Sequence, residues 1–183
     1  MSLVRFFMLL SLTIWIGGIV YFAAVVAPTV FTVLPTRHLA GLVVNRSLML
    51  LHWIGVSAGI VFLVLSLIHA YAAHGTPQPA AARNLLVLAM LVLTLVSQMV
   101  VAPRMSALRD GMGEIDQVAA TDARRVEFND LHQWSTRLEV GVLLLGLAAL
   151  FLIAREWAPR ADAASTLGPA AAAGNGGRTG VRL

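Results

Sequence analysis

The sequence predicts an all-α membrane protein built as a bundle of four transmembrane helices. Of its 183 residues, 58% are hydrophobic and only 12% are charged, whereas a soluble domain carries roughly 25% charged residues. Four apolar segments are long enough to cross a bilayer with help from their flanks, and polar segments rich in arginine and proline separate them. We assign all four crossings to one transmembrane domain, residues 1–157.

The composition also limits the chemistry. The absence of cysteine excludes disulfides, thiolate metal sites and cysteine nucleophiles. The 13 basic residues give a net charge of only +4 and form no basic run. We therefore expect no nucleic-acid partner. The arginines are instead expected to anchor helix ends at the lipid interface. No nucleophile elbow, zinc-protease motif, phosphate-binding loop or dinucleotide fingerprint is present, so the chain is not predicted to be an enzyme.

The first two crossings are predicted at about residues 6–27 and 48–73. Pro28 is expected to end the first one, because proline interrupts a helix. This crossing is longer than the ~7–15 apolar residues of a signal peptide, so we interpret it as a retained anchor. Residues 28–47 are then a connector, and histidines at the far end of the second crossing, such as His69, are expected to be solvated or to face the lipid head groups.

The third crossing is predicted at about residues 84–102, after a short loop that contains two prolines. The longest connector, residues 104–130, mixes both signs of charge with apolar side chains, which indicates a surface helix. Thr121 and Asp122 are a plausible N-cap for the helix that becomes the fourth crossing. The segment at 158–183 is rich in alanine and glycine, and we expect it to be disordered.

The fourth crossing, at about residues 131–154, has an unusual polar face. Its charge-free part, 140–154, spans only ~22 Å at ~1.5 Å per residue, short of a hydrocarbon core of ~30 Å. The helix must therefore draw on the preceding turns, where His132, Thr136 and Glu139 recur at helical spacing. Ionisable side chains at membrane depth face protein or water rather than lipid, so this stripe predicts a polar partner on another helix.

An internal repeat suggests which residues that partner includes. Val-Ala-Pro closes the first crossing and again the third, and Leu-His opens the second and again the fourth. The pattern predicts two tandem helical hairpins related by a pseudo-two-fold axis along the membrane normal. The predicted buried polar site comprises His52, Gln98, Arg104, His132, Thr136 and Glu139. The small residues predicted to allow close helix packing are Gly17, Gly18, Gly55 and Gly59.

Four stretches together resemble a known family. They are WIGGIVYFAAVVAPTVF at 15–31, LLHWIG at 50–55, VAPRMSALR at 101–109 and FNDLHQWS at 128–135. They resemble the bacterial domain of unknown function 4149 family, which is akin to the TMEM205-like membrane proteins of eukaryotes. The opening Trp-Ile-Gly-Gly is also similar, more distantly, to copper-resistance D proteins and to four-helix protoporphyrinogen oxidases, which bind haem. The resemblance implies a four-helix protein of the bacterial inner membrane with no agreed activity.

Several functions remain open at this point. The polar site is most typical of a structural lock between helices, with the lipid bilayer as the main partner. Alternatively, His52 and His132 at matched depth would suit copper handling or haem binding, since neutral imidazole binds both metals. A further alternative is proton or small-solute transport, for which four crossings would need a homo-oligomer. The cofactor is left unknown, and both chain termini are predicted on the same side of the membrane.

Overall fold

A computed structural model describes residues 2–157, so the predicted disordered segment at 158–183 lies outside the described residues. Four helices are long and apolar enough to cross a membrane. We label them α1 (Ser2–Val33), α2 (Arg37–His74), α3 (Ala82–Met112) and α4 (Ala123–Trp157). The other regular element in this part of the chain is a single 3₁₀ turn. The predicted all-α class with four long apolar helices is confirmed.

The proline predictions were wrong, because neither Pro28 nor Pro103 ends its helix. A π-helical turn, Phe22–Val26 in α1 and Ser97–Val101 in α3, comes directly before each proline. A proline ring normally clashes with the carbonyl four residues earlier, and it has no N–H to donate. The wider π turn moves that carbonyl, so both helices continue. The predicted 28–47 connector consequently shrinks to residues 34–36.

The remaining connectors follow from local hydrogen bonds. Thr36 Oγ1 accepts from the Leu39 N–H at 3.2 Å and caps the start of α2. Gly75 ends the same helix in the left-handed conformation, at φ 72°, which suits a residue without a side chain. Asp122 Oδ1 accepts from the Arg124 N–H at 2.9 Å at the start of α4, as expected of the predicted N-cap.

The Asp122 cap makes the start of α4 sensitive to acid. Hydrogen bonds from the Arg124 side chain and backbone hold the pKa of Asp122 below its ordinary value of 3.8. A carboxylate with a depressed folded pKa stabilises the fold above its unfolded pKa, and the contribution is lost as pH falls through the folded value.

We therefore expect Asp122→Ala to increase proteolysis in the connector between α3 and α4 at neutral pH. Asp122→Asn, which keeps the capping oxygen, should retain most of the protection. Limited proteolysis of the purified protein, with fragments identified by mass spectrometry, measures this. Equal cleavage of both variants would mean that the ion pair with Arg124, rather than the cap, protects the connector.

Side chains of all four helices form the hydrophobic core, and its closest helix contact is between α1 and α2. Trp15 is 1% exposed, and its indole lies directly against two glycines of α2. A methyl group added at Gly55 would come within 2.6 Å of Trp15 Cε2, and one at Gly59 within 2.7 Å of Trp15 Cζ3. Gly18 lies equally close to Leu51. Gly17 differs from the packing prediction, because it is exposed and a methyl there meets no atom of residues 2–157 within 4 Å.

A cluster of polar side chains lies at the end of the bundle near the start of α1. Arg83 is buried; its Nε donates to Ser66 Oγ at 3.1 Å and its Nη1 pairs with the Glu156 carboxylate. Arg5 Nε donates to His69 Nε2 at 3.4 Å. The prediction of a solvated His69 was wrong, since the side chain is buried among these groups. Side chains from all four helices thus form this cluster.

Candidate functional site

The central polar contact joins three helices through His52. This histidine of α2 is 3% exposed. Its Nδ1 lies 2.9 Å from Gln98 Oε1 on α3, and its Nε2 lies 3.0 Å from Glu139 Oε2 on α4. Two protonation states satisfy both contacts: an imidazolium that donates to both oxygens, or a neutral ring that donates to Glu139 and accepts from a rotated Gln98 amide. A proton can therefore enter or leave without breaking the network.

The structure divides the six residues predicted for the polar site. His52, Gln98 and Glu139 are in contact, and Glu139 has its partner on the other hairpin. Arg104, predicted at the same end, is exposed on α3 and does not line the cavity described below. His132 and Thr136 are exposed, but both line that cavity, and the Thr136 hydroxyl donates to the His132 carbonyl of its own helix at 3.0 Å.

The two histidines considered as metal ligands have different surroundings. His52 is buried, whereas His132 is exposed. Within residues 2–157 there is no group of three or more histidine, cysteine, aspartate or glutamate side chains arranged to hold a metal ion. The arrangement of ligands therefore gives the copper hypothesis no support beyond the sequence pattern on which it was based.

The polar network lines a cavity of about 560 Å³ between the four helices. Apolar side chains such as Ile19, Phe22 and Leu143 form one part of its wall. His52, Gln98 and Glu139 form another, together with the hydroxyls of Ser97, Ser135 and Thr136. Cavities of roughly 300–1,000 Å³ with apolar walls and a few convergent polar groups are typical of small-molecule sites.

Arg109 is the functional candidate that the sequence analysis missed. It lines the cavity, is 4% exposed, and its Nη1 finds no hydrogen-bond partner among the described residues. Its guanidinium lies 5.6 Å from the centre of the Phe128 ring. The available signal was spacing: Val101, Met105 and Arg109 recur every four residues, so the buried face of α3 carries this arginine, whereas Arg104 lies off that face.

These features define a four-helix membrane protein with an internal polar cavity. The chain matches the family model described as a domain of unknown function (DUF4149) over residues 10–114, more than half of its length. It therefore belongs to the DUF4149 family, as the sequence motifs predicted. The matched region contains His52, Gln98 and Arg109 and ends before α4. No curated protein and no solved structure matches the chain.

Proposed function

We propose that this protein binds a small amphipathic molecule in the cavity between its helices, within the bacterial inner membrane. The observation that carries the proposal is the position of the His52–Gln98–Glu139 network in the wall of the cavity. Ionisable side chains at membrane depth are costly and typically mark a functional path or site. Here both His52 and Glu139 line a space of ligand size.

A purely structural role explains the contacts less fully. Interhelical hydrogen bonds in membranes contribute ~0.6 kcal/mol on average, so a structural lock needs only that the partners meet. Protein interiors are otherwise close-packed, with few voids larger than a water molecule. A cavity of about 560 Å³ beside the network is not required by such a lock, but it is required by a binding site.

We also infer that the two hairpins descend from a duplication, with both chain termini on the same side of the membrane. The repeated Val-Ala-Pro supports this, because the valine of each copy is the last residue of a five-residue π-helical turn, one in α1 and one in α3. On this proposal the two repeats differ around the cavity, where His52 is buried and His132 is exposed.

Photolabelling tests the binding proposal. The full chain in lipid nanodiscs is irradiated with a dodecyl diazirine, and labelled residues are mapped by mass spectrometry. We expect label at Met105, which is buried and lines the cavity, to be displaced by excess unlabelled dodecanol. Met99 is the internal control, since it is 62% exposed on the same helix and its labelling should not be saturable. Label at Met99 without saturable label at Met105 would refute the proposal.

A further inference from the structure

We propose that the cavity selects an anionic amphiphile, a single alkyl chain with a phosphate or carboxylate head group, and that Arg109 binds the head group. This inference rests on the proposed function and adds the chemical class of the ligand. Its starting point is the Arg109 side chain, which is buried at 4% exposure with Nη1 unpartnered and lines the cavity. A buried cation without a hydrogen-bonding partner is costly, and a bound anion would remove that cost.

Two neighbours hold the Arg109 guanidinium in the cavity wall. Gly41 of α2 lies directly against it, since an added methyl there would be at an ordinary contact distance of 3.6 Å from Arg109 Cζ. The Phe128 ring of α4 also contacts the guanidinium, whose Cζ lies 5.6 Å from the centre of the ring. The planar guanidinium can then present two parallel N–H groups, which match the oxygens of a phosphate or carboxylate.

The charge around this end of the cavity favours an anion. Its lining includes Arg109 and Arg125, and also His38, whose Nδ1 is buried without a partner among the described residues. Arg125 also donates to the Val118 carbonyl. The described lining contains one carboxylate, Glu139, and His52 already binds it. The positive groups therefore exceed the negative ones where the head group would lie.

The rest of the lining favours an alkyl chain over a free ion. Ile19, Phe22, Phe31 and Leu143 form an apolar wall in the same cavity. A free phosphate would leave that wall uncovered, whereas an alkyl chain would bury against it. The cavity thus combines a cationic region with an apolar region, which is the chemistry of an amphiphile.

Binding to the full chain in nanodiscs tests the inference with four probes: dodecyl phosphate, dodecanoate, dodecanol and inorganic phosphate. We expect dodecyl phosphate and dodecanoate to bind at least about tenfold more tightly than dodecanol, because a charged hydrogen bond is added. Equal binding of dodecanol would overturn the head-group assignment but leave the proposed function intact. Failure of all four probes would overturn both. Inorganic phosphate binding as tightly as dodecyl phosphate would overturn the amphiphile and leave a simple anion site.

Arginine variants locate the site. Arg109→Gln should weaken dodecyl phosphate binding by about tenfold or more, and by a larger factor than it weakens dodecanol binding, because only the phosphate carries a charge. Arg104→Gln is the matched control, because Arg104 is an exposed cation on the same helix outside the cavity lining. If Arg109→Gln does not fold, Arg109→Lys keeps the charge without the planar fork and should give an intermediate loss. An equal loss in the Arg104 and Arg109 variants would mean general surface attraction and would overturn the assignment.

Discussion

Gly55→Ala is expected to destabilise the bundle by about 1–3 kcal/mol, the usual cost of overpacking a closely packed core. The added methyl would come within 2.6 Å of Trp15 Cε2, which is too close for two carbon atoms. Trp15 is 1% exposed, so its indole has no free space into which it can move. Thermal unfolding in detergent, followed by circular dichroism, measures the loss.

Gly17→Ala is the matched control for that prediction. Gly17 lies within a membrane helix as Gly55 does, but a methyl there meets no atom of residues 2–157 within 4 Å. Because alanine favours a helix by about 1 kcal/mol over glycine, Gly17→Ala should leave stability unchanged or slightly raised. Adding Trp15→Leu to Gly55→Ala should cost less than the sum of the single changes. Equal destabilisation by Gly17→Ala and Gly55→Ala would show that the contact with Trp15 is not the cause.

The second large effect concerns the contact between His52 and Glu139 in the cavity wall. His52→Leu should destabilise the protein by about 2–3 kcal/mol, since it leaves the Glu139 carboxylate at membrane depth without its partner. Adding Glu139→Leu to this variant should recover part of the loss, because the unpaired charge is then gone. The difference between the double change and the sum of the single changes measures the coupling of the pair in the same unfolding assay.

Two further cycles show whether that coupling is specific. Arg104→Leu and His132→Leu, each combined with Glu139→Leu, should be additive, because both side chains are exposed and neither contacts Glu139. The pair of His52 and Glu139 should instead show a coupling of about 0.6–1.7 kcal/mol, the range found for interhelical hydrogen bonds in membranes. Additivity for His52 as well would exclude the pairing.

The sequence was informative wherever a pattern acts along one helix. The apolar segments predicted the four helices, and the depth of Glu139 predicted a partner from another helix. The sequence could not predict which side chains face the interior of the bundle, because that depends on how each helix is rotated about its own axis. Arg104 and Arg109 lie five residues apart on α3, and only the rotation of that helix decides that Arg109 is buried and Arg104 is exposed. The continuation past Pro28 was missed because a π turn has no sequence pattern of its own.

The π turn in α3 sets the rotational phase of everything that follows it. Side chains repeating every four residues drift around an ordinary α-helix by about 40° per step, since each residue advances about 100°. The wider turn at Ser97–Val101 offsets the step from Ser97 to Val101, so both side chains are buried and Met105 and Arg109 follow on the inward face. If the same residues formed an ordinary turn, Arg109 would be rotated by about 100°. Deleting one residue there would instead restore an ordinary turn and leave Arg109 directed inward, because the wider turn absorbs one extra residue. A family member that lacks this residue would therefore keep its cation on the same face of the helix.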